Sequence, residues 1–320
     1  MHHFDVLVIA LAIDAAVGDP DWLWRRVPHP VTLAGWVIDR VDQTFNRDDI
    51  GDSYRRFLGM MLIVPGCVVL AIAGTLLEAL LNLLPLGWVV IAVVVAALIA
   101  QRDLYDHVAL VSRGLREGDL EAARAAVGRI VGRDPAELEE TGIAKAAIET
   151  LAENFSDAVV APVFWFALLG LPGILIYKFI NTADSMIGHR NERYREFGWT
   201  AARADDLVNW IPARISAGLI AAAAFALRRD AAEAWTAARI EARRHVSPNA
   251  GWPEAAMAGA LGIALGGPRS YDGTVVDGAV LNEFGREDVG WGDIRDALTL
   301  FVVACLIHAA LYLLLGFAFG

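Results

Sequence analysis

Three apolar runs, 57–84, 86–100 and 297–319, set what this chain of 320 residues can fold into. A helix needs about 20 apolar residues to cross a bilayer, and in lipid only helices and closed barrels satisfy their own backbone groups. Run 57–84 exceeds that length with Glu78 as its one charge, and 297–319 also reaches it. Run 86–100 is shorter, but the LPLG turn at 84–87 folds it back on its predecessor as a helical hairpin. Run 4–17 is marginal in length and carries Asp14 near its end. It lacks a basic lead-in and an AxA-type cleavage site, so it reads as a retained first helix. A hydrophobic share of 56% and a mean hydropathy of +0.46 agree with a polytopic, all-α integral membrane protein.

Segment 158–177 is long enough to cross, yet Gly170-Leu171-Pro172-Gly173 sits in its middle. Proline with two glycines disfavours a continuous helix there. The expectation is a re-entrant or broken helix, tolerated where protein or water covers the freed backbone. Basic residues populate 25–56, 102–145, 190–214 and 228–244, and the positive-inside rule assigns all four stretches to the cytoplasm. A same-side return at 158–177 keeps them there. Run 211–227 is short, Ala-rich and carries Arg214, so it is expected to be a packed or interfacial helix. Segment 228–245 is polar and helix-forming, a cytoplasmic helix by this reading. Gly- and Pro-rich stretches at 247–273 and a loop around 274–292 precede the last span. No internal repeat interrupts the chain, and 1–320 is expected to form one integrated membrane domain.

Several chemistries are excluded. A net charge of −11 without a dense basic cluster argues against nucleic acid as a partner. Cys67 and Cys305 lie in apolar runs without CxxC or CxxH spacing, against a zinc site or disulfide framework. P-loop, HExxH, GxSxG and Rossmann GxGxxG patterns are absent. His29 and His189 are isolated and are candidate substrate contacts only.

What remains is a dense polar set flanking 158–177. Charges near lipid are costly and call for a compensating role. Glu149, Glu153 and Asp157 recur at helical spacing with Asn154 beside them. Such a stripe is either a Mg²⁺ or general-base site, or a row paired with arginines of another segment. Lys178, Asn181 and Asp184, with Ser185, form a second series in which Lys178 could hold a phosphate and Asp184 join a metal shell. The alternative is a local Lys–Asp contact worth about 0.2–0.5 kcal/mol. Arg203, Asp205, Asp206 and Asn209 form a third, of the kind that binds metal and phosphate together. Ser247, Asn249 and Pro253-Glu254 read as a loop running into a helix start, whose free N–H groups either receive an anion or are simply capped.

These segments together resemble the CobD/CbiB family, adenosylcobinamide-phosphate synthases of cobalamin biosynthesis. The resemblance is carried by GDP at 18–20, HP at 29–30, GRD at 132–134, ETLAENFSDAVVAP at 149–162 and YKFINTADSMIG at 177–188. It continues through ERY at 192–194, ARADDLVNWIPAR at 202–214 and SPNAGWPEAAMAGALGIALGGP at 247–268, in the family's order over nearly the whole chain. Family members often carry Lys where this chain has Arg190 and Arg193, which leaves a phosphate-contact role there open.

The resemblance implies ATP-dependent amide formation between the free propionate of adenosylcobyric acid and (R)-1-amino-2-propanol or its O-phosphate. ATP and Mg²⁺ would serve as cofactors, through an acyl-phosphate or acyl-adenylate. On that reading Glu149, Glu153, Lys178, Asp184 and Asp205 are the candidate catalytic side chains, with Glu149 accepting the ammonium proton. Glu153, Asp157, Asp184, Asp205 and Asp206 lie on the metal–ATP side. Lys178, Arg203 and Arg214 offset phosphate charge, while Asn181, Asn209, Ser247 and Asn249 complete the binding set. The expected setting is the cell's inner membrane, multi-pass, with the active site on the cytoplasmic face. Other late-step cobalamin enzymes are the expected protein partners. Two readings compete: a secondary transporter of an anionic solute, whose mark is broken helices with midplane charges, and a non-catalytic AmpE-like sensory membrane protein.

Overall fold

The structure is a computed structural model that describes residues 3–20, 24–26, 28–47, 49–131, 135–189, 191–267, 269–271, 274–276 and 278–319. The GRD segment at 132–134 and Arg190 lie outside the described residues. In chain order the helices begin α1 (His3–Val17), α2 (Pro30–Phe45), α3 (Asp52–Asn82), α4 (Gly87–Ala96), α5 (Gln101–Arg116), α6 (Leu120–Val127) and α7 (Glu140–Asn154). A π-helical segment, Phe155–Val160, leads into α8 (Ala161–Ile187), α9 (Trp199–Val208), α10 (Trp210–Ala226), α11 (Ala231–Glu241) and α12 (Gly251–Leu261). Four short strands follow, β1 (Leu265–Gly266), β2 (Arg269–Tyr271), β3 (Thr274–Val276) and β4 (Val280–Leu281), before α13 (Trp291–Phe319).

Among the described residues, four helical stretches are long and apolar enough to cross a membrane: Asp52–Asn82, Gly87–Arg116, Glu140–Ile187 and Trp291–Phe319. A fifth is added if Trp199–Val208 and Trp210–Ala226 count as one broken span. The protein is therefore an all-α polytopic membrane protein. Among the described residues, β1 pairs with β4 and β2 with β3, both antiparallel, in a stretch whose Gly and Pro content had pointed to loop.

Contacts divide the chain into two units. The first comprises Met1–Ala100, Ala161–Asn209 and Tyr312–Gly320. Here α8 packs along α3, and α1, α2 and α9 also lie against α8. Ile38, Ile63, Phe179, Ala183, Phe197 and Ala201 form part of the core where these helices meet. The α3–α4 turn needs glycine at Gly87, because a Cβ there would sit 1.7 Å from the Leu81 carbonyl oxygen.

Helix α8 breaks at Gly170, whose φ of 67° and ψ of −151° lie outside any helix. The break explains the one charge in run 57–84. Glu78 Oε2 accepts the Leu171 N–H at 2.8 Å, capping the second half of α8, while Glu78 Oε1 meets His3 Nε2 at 2.7 Å. A half-helix starting in an apolar setting leaves N–H groups that water cannot reach, and a carboxylate is the strongest side-chain acceptor for them. A Cβ at residue 170 would fall 2.3 Å from Glu78 Oε2, so glycine is required for space as well as for φ.

The second unit comprises Gln101–Val160 and Trp210–Leu311. Its helices α10, α11 and α12 pack pairwise, and α5 packs on α6 and α7. Alanines make the close approach: Ala213 and Ala217 on α10, Ala234, Ala237 and Ala238 on α11, and Ala255, Ala256 and Ala258 on α12 are all buried. On α5 the apolar stripe Leu104, Val108, Val111 and Leu115 faces inward, as a polar helix with one apolar face should.

Candidate functional site

In the first unit the C-terminal half of α8 presents Tyr177, Asn181 and Asp184 at i, i+4 and i+7, one helical face. Helix α9 and its C-cap supply Asp205 and Asn209, also i,i+4 neighbours. They converge on the Asp205 carboxylate. Asn209 Nδ2 donates to Asp205 Oδ2 at 2.9 Å and Asn181 Nδ2 to Asp205 Oδ1 at 3.3 Å. The buried Asn209 is itself held by the Tyr177 hydroxyl, which donates to its Oδ1 at 3.0 Å. Tyr177 is a member of the cluster that sequence reasoning missed, though its place one turn before Asn181 was the available signal.

Helix α9 lies outside the four candidate spans. Burial, then the negative charge of Asp184, with Asp206 adding less, raises the Asp205 carboxyl from its ordinary 3.8 to about 7. The two amides oppose this by favouring the ionised form. Next to the cluster, Arg203 Nη1 meets Asp206 Oδ2 at 3.2 Å. Both residues, with His189, Tyr194, Arg195 and Trp199, line a cleft of about 140 Å³. Lys178 lines a smaller apolar crevice of about 50 Å³ with Pro30, Leu70, Leu98 and Phe179.

Two positions weighed for ligand contact are occupied by the fold. His29 caps α2, its Nδ1 accepting the Val31 N–H at 3.2 Å and its Nε2 meeting the Ala97 carbonyl at 2.9 Å. Arg193 pairs with the buried Asp42 at 2.7 Å. Asp42 also accepts from Asn46 at 2.7 Å, and Arg55 donates to Asn46 at 2.9 Å.

In the second unit the stripe at 149–157 is not one exposed face. Glu149 is buried, and its Oε1 accepts the Gly266 N–H at 2.7 Å, anchoring β1. Glu153 is exposed, and Asp157 is half-buried inside the π-helical segment, where the wider turn shifts the helical register. On α10, the Arg214 guanidinium lies 4.2 Å from the Trp210 ring centre and 4.6 Å from that of Trp252. Its Nη1 donates to the Trp210 carbonyl at 2.5 Å and to Asn249 Oδ1 at 3.4 Å. Ser247 Oγ accepts the Asn249 and Ala250 N–H groups at 3.2 Å, fixing the turn into α12. Trp210 and Trp252 were not singled out from sequence, although Trp210 stands four residues before Arg214. Among the described residues, no group of three or more His, Cys, Asp or Glu side chains is placed to enclose a metal ion.

The model of the CobD/Cbib protein family matches residues 7–301. The chain belongs to this family. It is 50% identical over 311 residues to the cobalamin biosynthesis protein CobD of a Sinorhizobium species, covering 96% of each chain. It is 48% identical to the protein of that name from Rhizobium meliloti, over 94% of this chain and 93% of the relative. A counterpart from Rhodobacter capsulatus is 49% identical over 88% of both. No solved structure matches. As a CobD/CbiB member the chain has its place in cobalamin biosynthesis, and the ENFSDAVVAP, FINTADSM and ADDLVNW motifs fall on the elements just described: the π-helical segment, the second half of α8, and α9.

Proposed function

We propose that the chain is an adenosylcobinamide-phosphate synthase, joining the free propionate of adenosylcobyric acid to (R)-1-amino-2-propanol or its O-phosphate in an ATP-dependent, amide-forming ligation. Family membership supports the pathway. Within the chain, the observation that carries the reading is the Asp205 cluster. A carboxyl pushed up to about 7 by burial and a neighbouring acid is stabilised as its anion when a cation arrives. Mg²⁺ suits such a place, because it takes one or two carboxylates and completes its shell with water and substrate phosphates.

Asp205, with Asp184 beside it, would hold the cation. Mg-ATP, when bound, supplies the activation that turns a carboxylate oxygen into a leaving group. The chain's own contribution is placement and charge. Asn181 and Asn209 each hold one Asp205 oxygen and so fix its orientation. Arg203, beside Asp206, and Lys178 offset phosphate charge. In the second unit, Glu149 is assigned to accepting the ammonium proton, which leaves the amine lone pair free to attack. Ser247 and Asn249 are assigned to binding. The chemistry is placed on the cytoplasmic face of the inner membrane, in company with other late-step enzymes.

The test is purified protein with Mg-ATP, adenosylcobyric acid and either free or phosphorylated aminopropanol, with product followed by mass. Asp184→Asn and Asp205→Asn should each lower turnover at least about 100-fold. Wild-type turnover in both variants would show the placement to be wrong. The break in α8 is the feature a transporter would share; ATP consumption dependent on the corrinoid acid separates the two.

A further inference from the structure

We propose that Arg214 recognises the carboxylate of the acid substrate, with the Trp210 and Trp252 indoles forming the apolar walls beside it. The inference rests on the ligase reading and deepens it by giving the acid its anchoring residue.

Three observations carry it. The guanidinium is fixed by two elements at once, stacked against Trp210 on α10 and Trp252 on α12, with Nη1 tied to the Trp210 carbonyl and to Asn249. Stacking against two rings removes most of the freedom that an arginine side chain must otherwise lose when it binds. Second, among the described residues Arg214 has no carboxylate partner, and its Nε and Nη2 donors meet no protein acceptor. Arg56, Arg193, Arg229 and Arg286 hold ion pairs that engage the donor edge Arg214 leaves open. Half-buried, the side chain keeps those donors available to a ligand carboxylate. Third, the walls are indoles, and Trp210 is 53% exposed. A large ring-bearing acid gains by covering such a surface, whereas a small hydrated phosphomonoester does not. The planar fork of arginine also matches a carboxylate with two parallel N–H···O bonds.

The experiment titrates the purified full chain with adenosylcobyric acid and, separately, with adenosylcobinamide, in which that carboxylate is already an amide, reading tryptophan quenching. Wild type should bind the acid at least about 10-fold more tightly than the amide. Arg214→Lys should weaken the acid by about 10- to 100-fold, to the level of the amide. Its affinity for the amide, for Mg-ATP and for aminopropanol phosphate should stay within about 2-fold. Arg214→Gln, which keeps donors that can reach the Trp210 carbonyl, serves if the lysine variant fails to fold, and should behave alike. Trp252→Phe should weaken acid and amide in parallel. Loss of ATP or aminopropanol phosphate affinity instead would assign Arg214 to a phosphate and overturn the proposal. So would acid preference retained in both arginine variants, or no preference in wild type. A wild type that prefers the acid but forms no product would defeat the ligase reading and leave this inference standing.

Discussion

With its proton affinity raised by burial and by Asp184, Asp205 binds a proton in the folded chain that the unfolded chain releases near 3.8. The folded state therefore carries more protons between 3.8 and about 7, and stability falls as pH rises through that window. In cation-free buffer at pH 8, Asp205→Asn is expected to melt several degrees above wild type, and the gap should close toward pH 4. Thermal unfolding of the purified protein at several pH values checks this, and added Mg²⁺ should raise the wild-type Tm at pH 8 more than that of the variant. Arg193 makes a contrasting case. Its partner Asp42 is buried, so Arg193→Ala leaves a carboxylate short of one charged donor, at a cost of about 1–3 kcal/mol. A lower Tm with unchanged KM for aminopropanol phosphate is the expected signature; a raised KM at unchanged Tm would return Arg193 to the phosphate.

At the level of elements, the broken α8 depends on two residues far apart in sequence. Gly170→Ala forces a side chain into positive φ and against Glu78, and should cost more than about 2 kcal/mol. Glu78→Ala strands the Leu171 N–H and His3, and should cost about 1–3 kcal/mol, whereas Glu78→Gln keeps an acceptor and should cost less. Melting curves in one detergent rank the three. The break itself was legible, because Gly-Leu-Pro-Gly is a local signal. Its cap was not, since nothing local ties Glu78 to a residue 93 positions later. The same distinction runs through the candidate site. Asp205 with Asn209, and Asn181 with Asp184, follow from helical spacing. The row Glu149, Glu153 and Asp157 does not survive as one face, because the π-helical segment changes the residues per turn and Glu149 turns inward to Gly266.

For the whole molecule, the apolar runs 57–84, 86–100 and 297–319 fall largely on helical stretches long and apolar enough to cross a bilayer, whereas 4–17 does not and 158–177 lies within the long stretch Glu140–Ile187. The ends agree less well: the run 86–100 became α4, ending at Ala96, with the chain resuming as helix at Gln101. Charge distribution predicts that single cysteines replacing Arg113, Arg203 or Arg239 in a Cys67- and Cys305-free background react with an impermeant thiol reagent only from the cytoplasmic side. Labelling of any of them from the periplasmic side of intact cells would contradict the assignment. The Glu78 cap has a bearing on assembly. Its acceptor arrives from the ribosome about ninety residues ahead of the amide it serves, and domains mature from the N-terminus during synthesis. The early helices thus wait in the bilayer as a mould, and the later segment acquires its bend only by docking into them. An N-terminal deletion should accordingly cripple a stretch of protein made long afterwards.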